Sequence, residues 1–446
     1  MKLHKMFRMN TLEAPKLPDD LECSYDSLVK GFGKTSSRCA PGPGATAEGH
    51  KAASFSQKLW RFCRNKRVRY PALIEPLIQR VRDDVRQEDT LLAVHDWSTL
   101  SYGTHKSKGD RRTLTHANDV GYDLATVLMV RADDGASLAP VSITLATADG
   151  ILSTEQNPVA DVAHVDQILP RMDFVTSLKL TKRIVHVIDR EADSVGHWRA
   201  WAAMGHQALV RADDRLVMHN DQERKLTEIA EEMKGHGGLR DAGEALYRGR
   251  RARRFVGETR VVLHRPAKRR EGDVRREIPG EPLSLRLVVV ELRDLDGRVL
   301  SQWLLLTNVD EKDADAATIA TWYYYRWRIE SMHKLIKSAG WELESWLQQS
   351  GERLLRKLLL AMAACVAVWG LERRNDDSSE SFKELLMVLS GRQTKTRQPI
   401  TTTGLLAGLW VLQQAATWLS RDGPNSANEM IKQHLPLFAN YSKQTT

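Results

Sequence analysis

The chain has 446 residues, of which 42% are hydrophobic and 28% charged, with a formal net charge of +9 and a pI of about 9.3. This composition excludes a largely disordered chain, and the length predicts roughly three domains. The basic surplus predicts an acidic polymer as partner, and it favours nucleic acid over a membrane surface.

Cysteine usage and the N-terminal residues bear on the compartment. Four cysteines are scattered without the CxxC spacing of a zinc site, which excludes a disulfide framework and favours a reducing cytosol. The first ten residues, MKLHKMFRMN, have no apolar signal-peptide core. We expect a cytoplasmic protein with no membrane partner.

The N-terminal part of the chain predicts two segments. Residues 1–50 show little periodicity and are predicted to be poorly structured or atypical, with a Gly-, Ser- and Pro-rich loop from 31 to 50. Residues 51–85 become helical and basic around KLWRFCRNKRVRY, which predicts a DNA-binding region.

Residues 86–215 predict the first part of an α/β core. Three strand-like runs, beginning with TLLAVHDW at 90–97, are followed by the strand RIVHVID, the helix READSVGHWRAWAAMG and the strand QALVRAD. Meandering strands followed by alternating helix and strand predict a mixed sheet flanked by helices.

The remaining residues predict an insertion, the rest of the core and a helical end. Residues 216–300 are predicted to be a β-rich insertion with basic runs at 248–254 and 265–276. Such runs are typical of solvated loops, and the alternative is a weak contribution to phosphate binding. Residues 301–345 complete the core with a long helix, and 346–446 form a helical C-terminal region. The apolar run at 358–371 is too short to span a membrane and predicts a buried helix.

The stretch YYYRWRIESMHKLIK, residues 323–337, surrounds one carboxylate with cations and aromatic rings. If it is helical, residues three, four and seven apart share a face. The side chains on that stripe are those of Tyr323, Arg326, Glu330, His333, Lys334 and Lys337. One interpretation is a solvated face held by pairs four residues apart. The other is a site where cations and rings hold nucleic acid.

Asp96 and Asp189 each lie at the predicted C-terminal end of a buried strand. Such an acid is often only a turn residue or a helix N-cap. However, a first-strand Asp, an adjacent fourth-strand Asp and the Glu330 carboxylate on a packed helix would converge. Three carboxylates suit Mg²⁺, and a pair of such ions activates water and stabilises the leaving oxygen of a phosphodiester.

The spacing Y-x2-R-x3-E-x6-K at Tyr323, Arg326, Glu330 and Lys337 resembles the signature of the insertion-sequence-four family of bacterial DDE transposases. DREAD at 189–193 and HDWSTLSY at 95–102 resemble two further blocks of that family. The resemblance begins near residue 51 and implies an RNase H-like fold. It also implies that Asp96, Asp189 and Glu330 are the catalytic, metal-binding triad, with Mg²⁺ as cofactor and Mn²⁺ as a possible substitute.

The resemblance further implies DNA contacts for a set of cationic and aromatic side chains. In this sequence they are Tyr323, Arg326, Lys337, Lys334, Arg211, Trp303, Arg61 and Arg64. Trp303 corresponds to an aromatic that stacks on a flipped-out base. For Arg211, a surface pair with Asp213 or Asp214 is the simpler alternative, and Trp303 could be a core residue only.

The implied function is DNA transposition: hydrolysis at the transposon end followed by strand transfer. The implied partners are double-stranded terminal inverted repeats, target DNA and a second copy in a synaptic homodimer. A bacterial protein of this kind would be cytoplasmic and nucleoid-associated when bound to DNA. Two alternatives remain open at this point: an RNase H-like nuclease without strand transfer, and a decayed, non-catalytic DNA-binding relative.

Overall fold

The structure is a computed structural model that describes residues 15–35, 52–116, 118–155, 163–247, 250–271, 274–339, 341–391 and 400–434. It contains two compact units. Unit 1 takes the described residues of 1–76, 104–109 and 333–446, and unit 2 takes those of 77–103 and 110–332. The division falls at residue 332, thirteen residues before the predicted end of the core at 345.

The strands, numbered in chain order, are β1 Thr90–Ser101, β2 Arg112–Thr113, β3 Val120–Arg131, β4 Ser137–Thr147, β5 Gly150–Ser153, β6 Arg183–Ile188, β7 Gln207–Arg211, β8 Leu216–His219, β9 Gln222–Lys225, β10 Arg240–Tyr247, β11 Arg250–Leu263, β12 Ala267–Glu271, β13 Val274–Ile278, β14 Leu283–Arg293 and β15 Val299–Thr307. The α-helices are α1 Asp19–Thr35, α2 Ala52–Arg64, α3 Tyr70–Asp84, α4 Ile168–Ser177, α5 Val195–Ala203, α6 Leu226–Gly235, α7 Ala316–Tyr324, α8 Trp327–Lys334, α9 Gly351–Glu372, α10 Asp377–Leu389 and α11 Thr402–His434.

Unit 2 is built on a large mixed sheet. Its order is β5-β4-β3-β1-β6-β7-β15-β14-β11-β8-β9, with β10 beside β11 and β2 beside β3. The pairs β1–β6 and β6–β7 are parallel, whereas β1 and β3 are antiparallel. Among the long strands of the first half, the first, β1, therefore lies next to the fourth, β6. This is the α/β, RNase H-like arrangement that the sequence predicted.

Helices cover both faces of this sheet. Ala208, Val210 and Leu306 belong to a buried cluster that also takes in α4, α5 and α6. Side chains alternate between faces along a strand, so the odd-numbered neighbours on β7 and β15 face the other side. There α7 packs against the sheet, and the ring centroids of Trp303 on β15 and Tyr323 on α7 lie 5.5 Å apart.

The predicted insertion does not form a separate layer. Its strands β14, β11, β8 and β9 continue the central sheet beyond β15, and only β12 and β13 form a two-stranded sheet of their own. The reason is that β11 pairs with β14 over a long stretch, and β14 in turn pairs with β15. Part of the basic runs, residues 248–249 and 272–273, lies outside the described residues.

Unit 1 is helical. Helix α9 has 22 residues and packs against α1 and α2, while α10 packs against α11. By length and composition alone α9 could cross a membrane, but 78% of its most apolar stretch is buried inside the structure. It is the buried helix expected around residues 358–371. Helix α1 lies in the segment 1–50 that was predicted to be atypical, and the loop residues 36–50 lie outside the described ranges.

Two local predictions are corrected. Strand β1 does not end near Trp97 but runs to Ser101, because β3 is long enough to pair with it throughout; Asp96 is opposite Thr126. The stretch 323–337 is not one long helix. Helix α7 ends at Tyr324, α8 begins at Trp327, and a π-helical turn follows over Leu335–Ala339. The six side chains therefore do not form one continuous stripe.

Candidate active site

Strand register brings the two aspartates together. Val94 on β1 pairs with Val187 on the parallel strand β6. Two residues further on each strand, Asp96 and Asp189 therefore point to the same face of the sheet. Asp189 directly follows β6, and one of its oxygens also accepts a hydrogen bond from the Arg190 N–H, as an N-cap does. The N-cap role and the site role are thus compatible.

The break between α7 and α8 carries a tyrosine, an arginine and a glutamate to these aspartates. The Tyr323 hydroxyl donates to Asp189 Oδ1 at 3.1 Å. Arg326 Nη2 donates to Glu330 Oε1 at 2.5 Å and lies 3.6 Å from Asp189 Oδ2. The Arg326 side chain is only 8% exposed, against 36% for the Asp189 side chain and 38% for that of Glu330. One buried cation therefore joins two of the predicted carboxylates.

Electrostatics ties Asp96 to the same group. Burial raises the pKa of Asp96 to about 6, Arg326 opposes this rise, and the negative charges of Glu330 and Asp189 add to it. Burial also raises the pKa of Tyr323, and the neighbouring Asp189 raises it further. For Arg326, burial lowers the pKa, but Tyr323, Asp189, Glu330 and Asp96 together leave it raised. The guanidinium is held in its charged form.

The donor set matches a hard divalent cation in its chemistry. Three carboxylates supply the oxygen ligands that Mg²⁺ and Mn²⁺ take in proteins. Within the described ranges, however, no three His, Cys, Asp or Glu side chains are arranged so that they could hold a metal ion together. The position between Asp189 and Glu330 is taken by the Arg326 guanidinium. The carboxylates fit a divalent ion in type and charge, and the Arg326 guanidinium supplies positive charge between two of them.

Two of the predicted DNA-contact residues lie near this cluster. Trp303 is 5% exposed and packs edge-on against the Tyr323 ring, so its ring is a buried support of Tyr323. Arg211, the last residue of β7, acts electrostatically on Tyr323. Within the part of the chain that the structure describes, Asp213 pairs with Arg190 and Asp214 with Lys225, and neither aspartate pairs with Arg211. The DNA-contact roles of both residues stay predictions.

The other predicted DNA-contact residues belong to unit 1. Lys337 pairs with Glu344 at 3.2 Å, and Lys334 is exposed at the end of α8. On α2, Arg61 and Arg64 are exposed, whereas Leu59, Phe62 and Cys63 are buried. Helix α2 contains no acidic residue. Its outer face is therefore a cationic surface, which we call the α2 surface: Lys58, Trp60, Arg61, Arg64.

One exposed tryptophan lies on the α2 surface and another lies close to Glu330. The sequence pattern predicted a role for neither of them. Trp60 is 52% exposed, and the Arg64 guanidinium lies 4.2 Å from its ring centroid. Trp327, which opens α8, is 44% exposed and lies three residues before Glu330, on the same side of the helix. The signal was present in the letters KLWRFCR and RWRIE, but burial could not be read from them.

Two polar clusters were not predicted from the sequence. On the opposite face of the sheet, the buried rings of His95 and His186 meet through Nε2 and Nδ1 at 2.9 Å, and burial lowers the pKa of His186 to about 3. Asp193 binds the Trp198 ring N–H, the Asp213 backbone N–H and Arg215. Asp193 thus ties the segment after β6 to the one after β7, beside the two strands that lead to Asp189 and Arg211.

Comparisons with known proteins give one family match. The family model described as "Transposase DDE domain" matches residues 144–366, which is 223 of the 446 residues. Asp189 and Glu330 lie inside the match, and Asp96 precedes it. No curated protein matches the chain in sequence.

Among solved structures, the chain is similar to a piggyBac transposase in a synaptic complex with hairpin DNA. The identity is 9%, the alignment covers 81% of this chain and 59% of that chain, and the TM-score is 0.29. A TM-score this low carries no weight for fold or function. With a family match over half of its length, the chain belongs to the DDE-domain transposase family.

Proposed function

We propose that the protein is the transposase of an insertion sequence, from the insertion-sequence-four family. It hydrolyses phosphodiester bonds at the transposon ends in a metal-dependent reaction. Each resulting 3′-OH then attacks a phosphodiester bond of the target DNA, which joins the transposon end to the target strand and releases a 3′-OH of the target. The observation that carries the proposal is the assembly of Asp189 and Glu330 on one buried guanidinium, with Asp96 in the same electrostatic group.

In this proposal Asp96, Asp189 and Glu330 are the catalytic residues that hold Mg²⁺, with Mn²⁺ as a possible substitute. When bound, the divalent ion supplies an activated water and stabilises the leaving oxygen. Tyr323 orients Asp189 through its hydrogen bond. The local surplus of cations, including Arg211 and Arg326, offsets the charge of the DNA phosphates near the reacting bond.

DNA binding outside the reacting bond is assigned to the α2 surface. Cations without acidic neighbours on α2, beside an exposed tryptophan, suit phosphates and sugar or base faces. The partners are terminal inverted repeats and target DNA, with a homodimer joining the two ends. Lys334 and Lys337 add phosphate contacts, and Trp303 receives a displaced base once the DNA is bound. The protein acts in the bacterial cytoplasm, on the nucleoid.

Strand transfer separates this function from that of a nuclease or an inactive relative. The substrate is duplex DNA carrying the inverted repeats that flank the gene, with supercoiled plasmid as target and Mg²⁺ or Mn²⁺ present. The wild-type protein is expected to nick the repeat end and join it to the plasmid. Asp189→Asn and Glu330→Gln are expected to lose both products by about 10³-fold or more, because a missing carboxylate removes charge stabilisation of the transition state.

Glu311→Gln, an exposed residue paired with Arg260, serves as the control and should retain wild-type rates. Cleavage without joining would make the protein a nuclease. Full activity in the Asp189 and Glu330 variants would refute the assignment of the triad.

A further inference from the structure

We propose that Arg326 is an internal counter-cation: in the metal-free protein its guanidinium holds Asp189 and Glu330, and it competes with divalent ions for them. This inference rests on the proposed metal-dependent function. It concerns Arg326 as a positioning residue, in addition to any contact it makes with DNA.

Charge compensation is the first support. Asp189, directly after β6, and Glu330, on α8, carry like charges that repel each other, and a cation between them removes that repulsion. Arg326 Nη2 lies 2.5 Å from Glu330 Oε1 and 3.6 Å from Asp189 Oδ2. A planar guanidinium offers several donors in a fixed fork and can serve two carboxylates at once. Through these two contacts Arg326 links the residue after β6 to α8.

Incomplete satisfaction of the arginine is the second support. Arg326 Nε is buried and makes no hydrogen bond within the described part of the chain. A buried donor left unpaired costs about 1–3 kcal/mol. The carboxylate-bound position therefore leaves one donor of this side chain unpaired, which lowers the cost of exchanging it for another position.

The third support is an alternative position for the Arg326 guanidinium, beside the Trp327 ring. The guanidinium carbon of Arg326 lies 5.7 Å from the centroid of the Trp327 ring, and Trp327 is 44% exposed. An arginine stacks well on a tryptophan face. A rotation of the Arg326 side chain towards Trp327 would free both carboxylates and bring the cation to the surface, where a DNA phosphate can accept its hydrogen bonds.

The direct test is Mn²⁺ affinity of the full-length protein, measured from free Mn²⁺ by electron paramagnetic resonance. Arg326→Gln is expected to bind Mn²⁺ about tenfold more tightly than wild type, because no internal cation has to leave. Arg328→Gln, two residues further along at the start of α8 and with the same loss of charge, should stay within about twofold. A merely structural arginine would not produce tighter binding when removed, so equal or weaker Mn²⁺ binding by Arg326→Gln would overturn the proposal.

Thermal unfolding gives the second readout. In EDTA, Arg326→Gln should unfold about 5 °C or more below wild type, and saturating Mn²⁺ should restore most of that difference. Arg328→Gln should change by less than about 1 °C. A melting temperature of Arg326→Gln that equals wild type in EDTA would contradict the counter-cation role.

If Arg326→Gln does not fold in either condition, Arg326→Lys takes its place. An ammonium keeps the charge but lacks the planar fork, so this variant should bind Mn²⁺ more tightly than wild type; equal or weaker binding would overturn the proposal. Failure of the proposed function has a different signature. In that case wild type and Glu330→Gln would bind Mn²⁺ equally poorly, while the melting difference in EDTA would still report on Arg326.

Discussion

The carboxylate cluster of unit 2 and the α2 surface of unit 1 are built in opposite ways. The cluster consists of Asp96 on β1, Asp189 directly after β6 and Glu330 on α8, together with the buried side chain of Arg326. Its assembly depends on strand register and on a helix break. On the α2 surface, exposed cations follow one another within a single helix and face no acid of that helix. The first is a long-range arrangement, whereas the second is a local one.

The difference has consequences for chemistry and for robustness. Burial makes the charges of Asp96 and Arg326 costly, and the pKa of each is shifted by the charges of Asp189 and Glu330 beside it. Exposed charges on α2 are screened by salt and act almost independently. We therefore expect single substitutions to have large, coupled effects in the cluster and small, additive effects on the α2 surface.

Asp96 provides the larger test of this contrast. The pKa of Asp96 is raised to about 6. At pH 8 its ionised carboxylate therefore lowers the free energy of unfolding of the protein without bound metal. Asp96→Asn should therefore raise the free energy of unfolding in EDTA at pH 8 by about 1–3 kcal/mol. As pH falls through 6, the folded wild type takes up a proton before the unfolded chain does and gains stability. The advantage of the variant should fall by about half at pH 5.

Thermal or denaturant unfolding at the two pH values measures this effect. Asp296→Asn, in the exposed turn between β14 and β15, should show no advantage at either pH. An advantage of Asp96→Asn that grows on acidification, or is missing at pH 8, would mean that Asp96 is not a strained member of the cluster.

The α2 surface should show the smaller effect. Arg61→Ala combined with Arg64→Ala is expected to weaken binding to duplex DNA about tenfold near 0.1 M salt, and to reduce the salt dependence of log K by about two. The effect should be similar for any DNA sequence, because phosphate contacts carry no base information. Electrophoretic or fluorescence titrations at several salt concentrations measure both quantities.

Arg67 is the matched control for the α2 surface. Its guanidinium is already paired with Asp20 through two hydrogen bonds of 3.0 and 2.7 Å. Arg67→Ala should therefore change DNA affinity less than either Arg61→Ala or Arg64→Ala. An equal loss in all three variants would indicate that net charge alone, and not the α2 surface, determines binding.

Local patterns were sufficient for much of the fold. Apolar runs located the strand that carries Asp96 and the strand that ends just before Asp189, and the order of strands and helices predicted the mixed sheet. The reach of β1 to Ser101 depends on its partner β3, and the merging of the insertion with the sheet depends on β14 and β15. Neither pairing is encoded in a single segment, so neither could be read from one.

Residue types in the site were predictable, but their contacts were not. The spacing of Tyr323, Arg326 and Glu330 identified the segment, yet a uniform helix was assumed and the break after Tyr324 was missed. Because of that break, Arg326 lies against Asp189, a residue 137 positions earlier in the chain. The burial of Trp303 and the exposure of Trp327 likewise depend on packing of α7 and α8, which spacing does not specify.

Iron-directed cleavage of the protein backbone tests the convergence of the three acids most directly. Fe²⁺ substitutes for other divalent ions at carboxylate sites, and with ascorbate and peroxide it cuts the chain next to where it is bound. The account predicts fragments ending near residues 96, 189 and 330, all suppressed by excess Mg²⁺ and by Glu330→Gln. Cleavage near 96 and 189 without cleavage near 330, or cuts insensitive to Mg²⁺, would contradict it.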